Sequence, residues 1–277
     1  MKLFLLVALT MAAFAANSLL NRVGVASGAI TAEMFAFVRV VAGSAVLAVL
    51  VLVQGGTLRA WPSLWGVLGL TAYLVGFSQA YIGLDAGLGA LILFGGVQVT
   101  MFAGALVLGE RVPAMRWVGM GMALLGLCWI VGGVATHGGA QLDVAFMALA
   151  ALGWGIYSLI GRGVANPLQA TGLNFLWSVP LVALTLIPTG IETPNAFGIT
   201  MAILSGGITS ALGYALWYMV LPQLHASVAG VAQLSVPVIA LVGGILLLGE
   251  AVTVPTVLGS LVVLGGIALS LMRVKGG

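Results

Sequence analysis

The sequence predicts an all-α integral membrane protein of ten transmembrane helices, arranged as two inverted five-helix repeats (5+5). Three observations carry this. Only 5% of the residues are charged and 62% are hydrophobic, where an ordinary soluble domain has ~25% charged. Ten apolar runs, each near the ~20 residues that a bilayer-crossing helix needs, are separated by short breaks. Residues 104–112, GALVLGERV, return 140 positions later as residues 244–252, GILLLGEAV, identical at six of nine positions.

Nine Lys/Arg and six Asp/Glu cannot clothe a water-soluble surface on a chain of 277 residues. The mean hydropathy of +1.24 agrees. A soluble enzyme, a nucleic-acid binder, a disordered chain and a disulfide scaffold are excluded together. Cys128, the single cysteine, has no partner for an internal disulfide. The solvent is therefore lipid, and the short loops leave no room for a domain outside the bilayer.

The expected spans are 3–22, 32–53, 62–83, 86–108, 115–134, 144–163, 169–188, 197–220, 226–248 and 255–273. The first follows Lys2 and contains Ala13-Phe14-Ala15, which also suits a secretory signal with a small-residue cleavage site. Its apolar run continues to Leu20, long for a signal core, and the repeat requires the span. The later spans are set by breaks at Gln54-Gly55-Gly56, Glu110 to Pro113, His137-Gly138-Gly139, Asn166-Pro167, Glu192 to Pro194, Pro222-Gln223 and Glu250 to Pro255. Pro237, expected mid-span in the ninth, is the best candidate for a hinge.

The basic residues orient the chain. With the N-terminus on face A, that face receives Lys2, Arg59, Arg111, Arg116, Arg162, Arg273 and Lys275, whereas face B receives Arg22. The positive-inside rule then makes face A cytoplasmic and places both termini there, in a multi-pass protein of the cell (inner or plasma) membrane. Five acids, Glu33, Asp85, Asp143, Glu192 and Glu250, fall on face B.

The 140-residue offset also pairs Ser18 with Ser158, Leu19 with Leu159, Arg22 with Arg162, Gly119 with Gly259 and Gly126 with Gly266. The halves are residues 1–137 and 138–277. Because five is odd, the second half enters the membrane upside down. Inverted halves can exchange conformations and so expose a midplane site to one side and then the other.

Ten short-looped spans, with Leu108-Gly109-Glu110 and Leu248-Gly249-Glu250 closing spans four and nine ahead of glycine-spaced helices, resemble the EamA family of the drug/metabolite transporter superfamily. The likeness covers nearly the whole chain. Within the family it extends, on length and general character, to the YddG-type exporters of amino acids. The resemblance implies export of small molecules, with spans five and ten at the periphery and the other eight lining a cavity.

The candidate substrate-binding residues are the polar and aromatic side chains well inside spans: Asn17, Arg39, Gln79, Gln98, Trp154, Tyr157, Asn174, Tyr214, Trp217 and Gln233. An amide in hydrocarbon costs about 2–7 kcal/mol unless it is paired, so such groups either bind helices together or line a wet cavity. Tyr73, Phe77 and Tyr81 share one face of the third span, and Tyr214, Trp217 and Tyr218 form a stripe on the eighth. Trp61, Trp65 and Trp117 suit interfacial anchors. Arg39 lies ~10 Å from face B by helical rise. It either snorkels outward or attracts a carboxylate.

Amides beside aromatics suit a neutral, partly apolar solute, which points to neutral or aromatic amino acids. Drugs, purines, sugars or cationic compounds are the rival cargoes, and a passive channel is the rival mechanism. No Asp, Glu, His or Lys falls near mid-membrane, which argues against obligatory proton coupling; Glu33 at the lip of span two is the nearest acid. There is no phosphate-binding GxxxxGK[ST] loop for ATP, no HExxH, and no grouping for catalysis. His137 and His225 are isolated in or beside loops. No enzyme activity, cofactor, metal or nucleic-acid partner is expected. The partners are a small-molecule substrate and the lipid bilayer. The glycine-rich outer faces of spans five and ten also allow a homodimer.

Overall fold

A computed structural model of the protein describes residues 1–110, 112–135, 140–189, 193–220, 223–224, 232–251 and 253–271. Among them there are ten apolar helices and no β-strand. They are α1 (Lys2–Ala26), α2 (Ala32–Val53), α3 (Leu64–Ala80), α4 (Ala86–Val107), α5 (Ala114–Ala135), α6 (Gln141–Gly161) and α7 (Pro167–Ala183, followed by a turn at Leu186–Thr189). Then come α8 in three consecutive segments (Ala196–Ile203, Leu204–Leu212 and Gly213–Val220), α9 (Ser235–Leu248) and α10 (Val254–Leu271). Eight are long and apolar enough to cross a bilayer, and α3 and α9 are shorter apolar helices. The chain is a multi-pass membrane protein.

The helices begin where short polar side chains can accept from a free backbone N–H. Thr31 caps α2 through Met34, Ser63 caps α3 through Gly66, Asn166 caps α7 through Gln169, and Asn195 caps the first segment of α8 through Gly198. Pro167 belongs inside α7 because the first helical position has no use for an N–H. This is why α7 starts before the expected residue 169. Pro237 lies in the first turn of α9, just after a break at Leu234 that separates α9 from helical residues 232–233, and its missing N–H leaves the carbonyl of Gln233 without a helical donor.

Neighbouring helices are held by close backbone approach, as expected where lipid tails are as apolar as leucine. In the α3–α6 contact, a Cβ on Gly69 would meet the Gly153 carbonyl, and one on Gly153 would meet the Gly69 carbonyl. The α5–α10 pair repeats the arrangement: Gly119 meets the Gly266 backbone, Gly266 meets Gly119, Gly126 meets Val263 and Gly259 meets Ile130. These glycines are used in contacts within the chain. Gly121, Gly132 and Gly265 face open space. Around these pairs, α2 packs on α7 and on the middle of α8, α4 on α6 and α9, and α1 on α8 and α9.

The two Leu-Gly-Glu ends lie at opposite ends of α4. Glu110 follows the C-terminus of α4, whereas Glu250, following α9, sits against its N-terminus. Both turns use a left-handed glycine, Gly109 at φ 72° and Gly249 at φ 67°, which a residue with a Cβ would adopt only under strain.

Gly153→Leu is expected to lower stability by about 1–3 kcal/mol or to prevent folding, because the added side chain must part α3 from α6. Gly121→Leu, which enters open space, should stay within about 0.5 kcal/mol of the parent. Thermal unfolding in detergent compares the two.

Candidate functional site

The most polar part of the interior is built around Arg39. α2 carries it into the bundle, where it is 0% exposed. It does not snorkel to the surface. Nη2 donates to Tyr73 Oη at 2.8 Å, and Nε and Nη2 donate to Ser210 Oγ at 3.3 and 3.2 Å. The guanidinium carbon lies 5.0 Å from the centre of the Tyr73 ring and 4.9 Å from that of Phe77. Both rings offer their negative faces to the cation. Nη1 is buried and has no partner among the described residues. Among the described residues no carboxylate pairs with Arg39.

Asn17 on α1 extends the cluster. Its Nδ2 donates to Tyr73 Oη at 3.2 Å, and its Oδ1 accepts from Ser205 Oγ at 2.6 Å and Thr209 Oγ1 at 3.1 Å. Three hydroxyls on the middle of α8 can serve one spot because Leu204–Leu212 is a π-helix. Its wider turn brings residues five apart onto one face, so Ser205 and Ser210 point the same way. Gly206 lets the Arg39 backbone carbonyl rest directly on this turn. Sequence reading missed Ser205, Thr209 and Ser210. The signal was present as Ser-Gly-Gly-Ile-Thr-Ser, but a regular 3.6-residue period puts only Ser205 and Thr209 on one face and turns Ser210 away.

Trp154 joins this polar cluster to an aromatic one. Its ring lies 4.9 Å from Tyr73, 5.0 Å from Tyr214 and 5.3 Å from Tyr157 between centroids. Tyr214 in turn meets Phe14 and Phe175, and Phe14 meets Trp217. Tyr157 leads onward to a cavity of about 220 Å³ between the starts of α3 and α7 and the end of α6. Its lining includes Trp61, Ser63, Thr171 and Asn174. There Tyr157 Oη shares a hydrogen bond of 2.8 Å with Thr171 Oγ1, and Asn174 Oδ1 is buried without a partner. A run of rings thus connects this face-A cavity to Arg39.

Seven of the ten candidate residues are brought together in this way: Asn17, Arg39, Trp154, Tyr157, Asn174, Tyr214 and Trp217. The three glutamines are not. Gln79 Nε2 donates to Glu33 Oε1 at 2.6 Å, near the face-B lip. Gln98 and Gln233 are half-buried on α4 and before α9, and neither bonds to the cluster among the described residues. Arg111, His137, Glu192, His225, Arg273, Lys275 and the Tyr218 side chain lie outside the description. No group of His, Cys, Asp and Glu able to hold a metal occurs among the described residues.

Known proteins agree with this architecture. Residues 142–272 match the EamA-like transporter family. An uncharacterized protein of Pseudomonas aeruginosa is 42% identical over 272 residues, covering 96% of this chain and 93% of its own. A probable amino-acid metabolite efflux pump of Salmonella typhimurium is 23% identical, over 70% of each chain. A solved crystal structure superposes with a TM-score of 0.67 at 17% identity, over 97% of this chain and 96% of the other, and so shares the fold. The chain belongs to the EamA-like transporter family: it is a membrane transporter.

Tyr73→Phe keeps the ring and removes the oxygen that serves both Arg39 and Asn17. Stability should fall by about 1–3 kcal/mol, the cost of stranding buried donors. Trp61→Phe, at an exposed position, should change it little. Both are read by unfolding in detergent.

Proposed function

We propose that this transporter exports small metabolites, with neutral and aromatic amino acids as cargo, by alternating access. Residues 1–137 and 138–277 are the two inverted halves that exchange conformation, and no proton need move with the cargo. The protein works in the inner membrane with both termini cytoplasmic, so face A is the side of uptake.

The observation that carries this reading is the unpaired charge of Arg39. A buried cation without an anion is unfavourable, and an arriving carboxylate relieves it. The free Nη1 offers that carboxylate a charge-assisted bond. Trp154, Tyr157, Tyr214 and Trp217 offer ring surface to an apolar side chain, beside Asn17, whose Oδ1 is engaged by Ser205 and Thr209. An amino acid with an apolar side chain satisfies both the free guanidinium donor and the rings. A cation meets the charge of Arg39 with like charge, and a multiply phosphorylated solute finds one arginine where it needs several. Gln79 and Gln98 are assigned to the walls of the route, and Gln233 to its face-A side. The amino-acid efflux pump among the relatives supports the cargo class.

Counterflow in proteoliposomes tests the proposal. Vesicles loaded with unlabelled phenylalanine should take up labelled phenylalanine faster and saturably, with no ion gradient. Loading with phenylalaninamide, which lacks the carboxylate, should give no stimulation. Arg39→Gln should slow exchange about ten- to a hundredfold, as expected for loss of a bond of ~1.5–3 kcal/mol to a charged group. Gln79→Ala and Gln98→Ala should weaken transport while leaving the fold intact. Equal stimulation by acid and amide would remove the carboxylate from recognition. Uptake that neither saturates nor responds to internal solute would replace the carrier by a channel.

A further inference from the structure

Glu250 does not point into water, as an acid in a loop after a helix would. We infer that it is a latch that holds the face-B gate shut by capping a helix of the other half. The inference rests on the alternating-access reading and adds the device that biases it.

The start of α4 shows why. Asp85 occupies the N-cap position, yet its carboxylate makes no capping bond to α4. It pairs with Arg22 instead, Nη2 to Oδ1 at 3.2 Å. The vacant capping role is taken by Glu250, from the far end of the chain. Both its carboxylate oxygens accept from the Ala86 N–H, at 2.9 and 3.0 Å. A carboxylate is favoured there by the free N–H groups and the positive end of the helix dipole. Arg22 braces it, with Nε 3.5 Å from Oε1, while Nη1 donates to the Tyr81 and Ile82 carbonyls at 3.1 and 3.0 Å. α1, the α3–α4 connection, α4 and the end of α9 are tied together at one point.

The chain is shaped for this contact. After Gly249 the backbone turns back, and the Glu250 N–H bonds to the Gly244 carbonyl at 3.0 Å. Gly244 leaves the space that the carboxylate fills, since a Cβ there would strike it. Gly87, on the first turn of α4, allows Leu241 of α9 to come against the backbone.

The repeat-related residues make the opposite comparison. Glu110 also turns back, its N–H bonding to the Ala105 carbonyl at 2.9 Å, one residue nearer than in the Glu250 turn. Gly104, however, faces Leu159 and not its glutamate. Glu110 reaches only Arg162, the counterpart of Arg22, at 3.5 Å. Its side chain is 44% exposed, and that of Glu250 is 9% exposed. One end of the molecule is latched and the other carries the same parts unlatched.

A gate that must open cannot be held too firmly. Burial pushes the Glu250 carboxyl up from the usual glutamate range; the Ala86 N–H and Arg22 hold it down, and Asp85 works with burial. Asp143, packed against Gly83 on the same face, adds a further acid facing Arg22. The contact depends on the Ala86 N–H and Arg22 to offset burial, so removing one member should loosen it.

The test places a reporter beneath the latch. Ser18 on α1 is buried just inside face B, and Ser18→Cys in a Cys128→Ser background gives a single thiol. A membrane-impermeant maleimide is added from the face-B side of oriented vesicles. Labelling should be slow in the reporter parent and about tenfold faster with Glu250→Gln, within the usual range of a coupling between sites. Arg22→Gln should move it the same way, and supplies the answer if Glu250→Gln does not fold. Glu110→Gln should leave this face no more reactive. Unchanged labelling in folded Glu250→Gln and Arg22→Gln proteins would overturn the latch. Labelling that responds as expected in a protein giving no amino-acid counterflow keeps the latch and sinks the cargo reading alone.

Discussion

The absence of water around the helices is the constraint on which the rest of this molecule depends. In hydrocarbon an apolar side chain gains nothing by leaving lipid for protein. Association must come from close backbone contact and from polar groups that find one another. The chain uses both. Gly69 against Gly153 and Gly119 against Gly266 bring backbones together without side chains between them. Arg39, Asn17, Tyr73 and the hydroxyls of α8 form the polar seam that ties α1, α2, α3 and α8.

That seam also contains the site proposed for the substrate. A fully satisfied network would only bind helices together. Among the described residues this one leaves Arg39 Nη1 without an acceptor and its charge without an anion. The π-helical stretch of α8 presents three hydroxyls where a regular helix would present two. Such irregular turns are often found at functional sites, because they trade regular bonding for side-chain placement. The aromatic run from Arg39 through Trp154 to Tyr157 then links the polar seam to the face-A cavity.

The ends of α4 show how one local motif produces two different contacts. The sequences around Gly109 and Gly249 are nearly the same, and so are the turns they make. What differs is the neighbour. At face B the start of α4 lies within reach of Glu250, and at face A Glu110 reaches only Arg162. Equal parts thus give unequal ends, because the second contact depends on which helix packs beside each turn.

The sequence by itself determined the solvent, the all-helical class and the spans, because hydropathy over ~20 residues is set by the bilayer and hardly by the fold. It also determined the family, through the repeated Leu-Gly-Glu and the likeness of the whole chain. It named Arg39, Asn17 and Trp154, because a polar or ring side chain in a membrane helix needs a reason to be there. Only the tertiary structure decided which of them meet. Periodicity gives the face of a helix, not its neighbour, so Gln79 was found with Glu33 and apart from the cluster. It could not show that the ninth span is broken at Leu234, that the α5 and α10 glycines face each other, or that Arg39 is sealed from the surface. Nor could it place Glu250 on a helix 164 residues away in the chain, since that contact exists only once α9 has packed against α4.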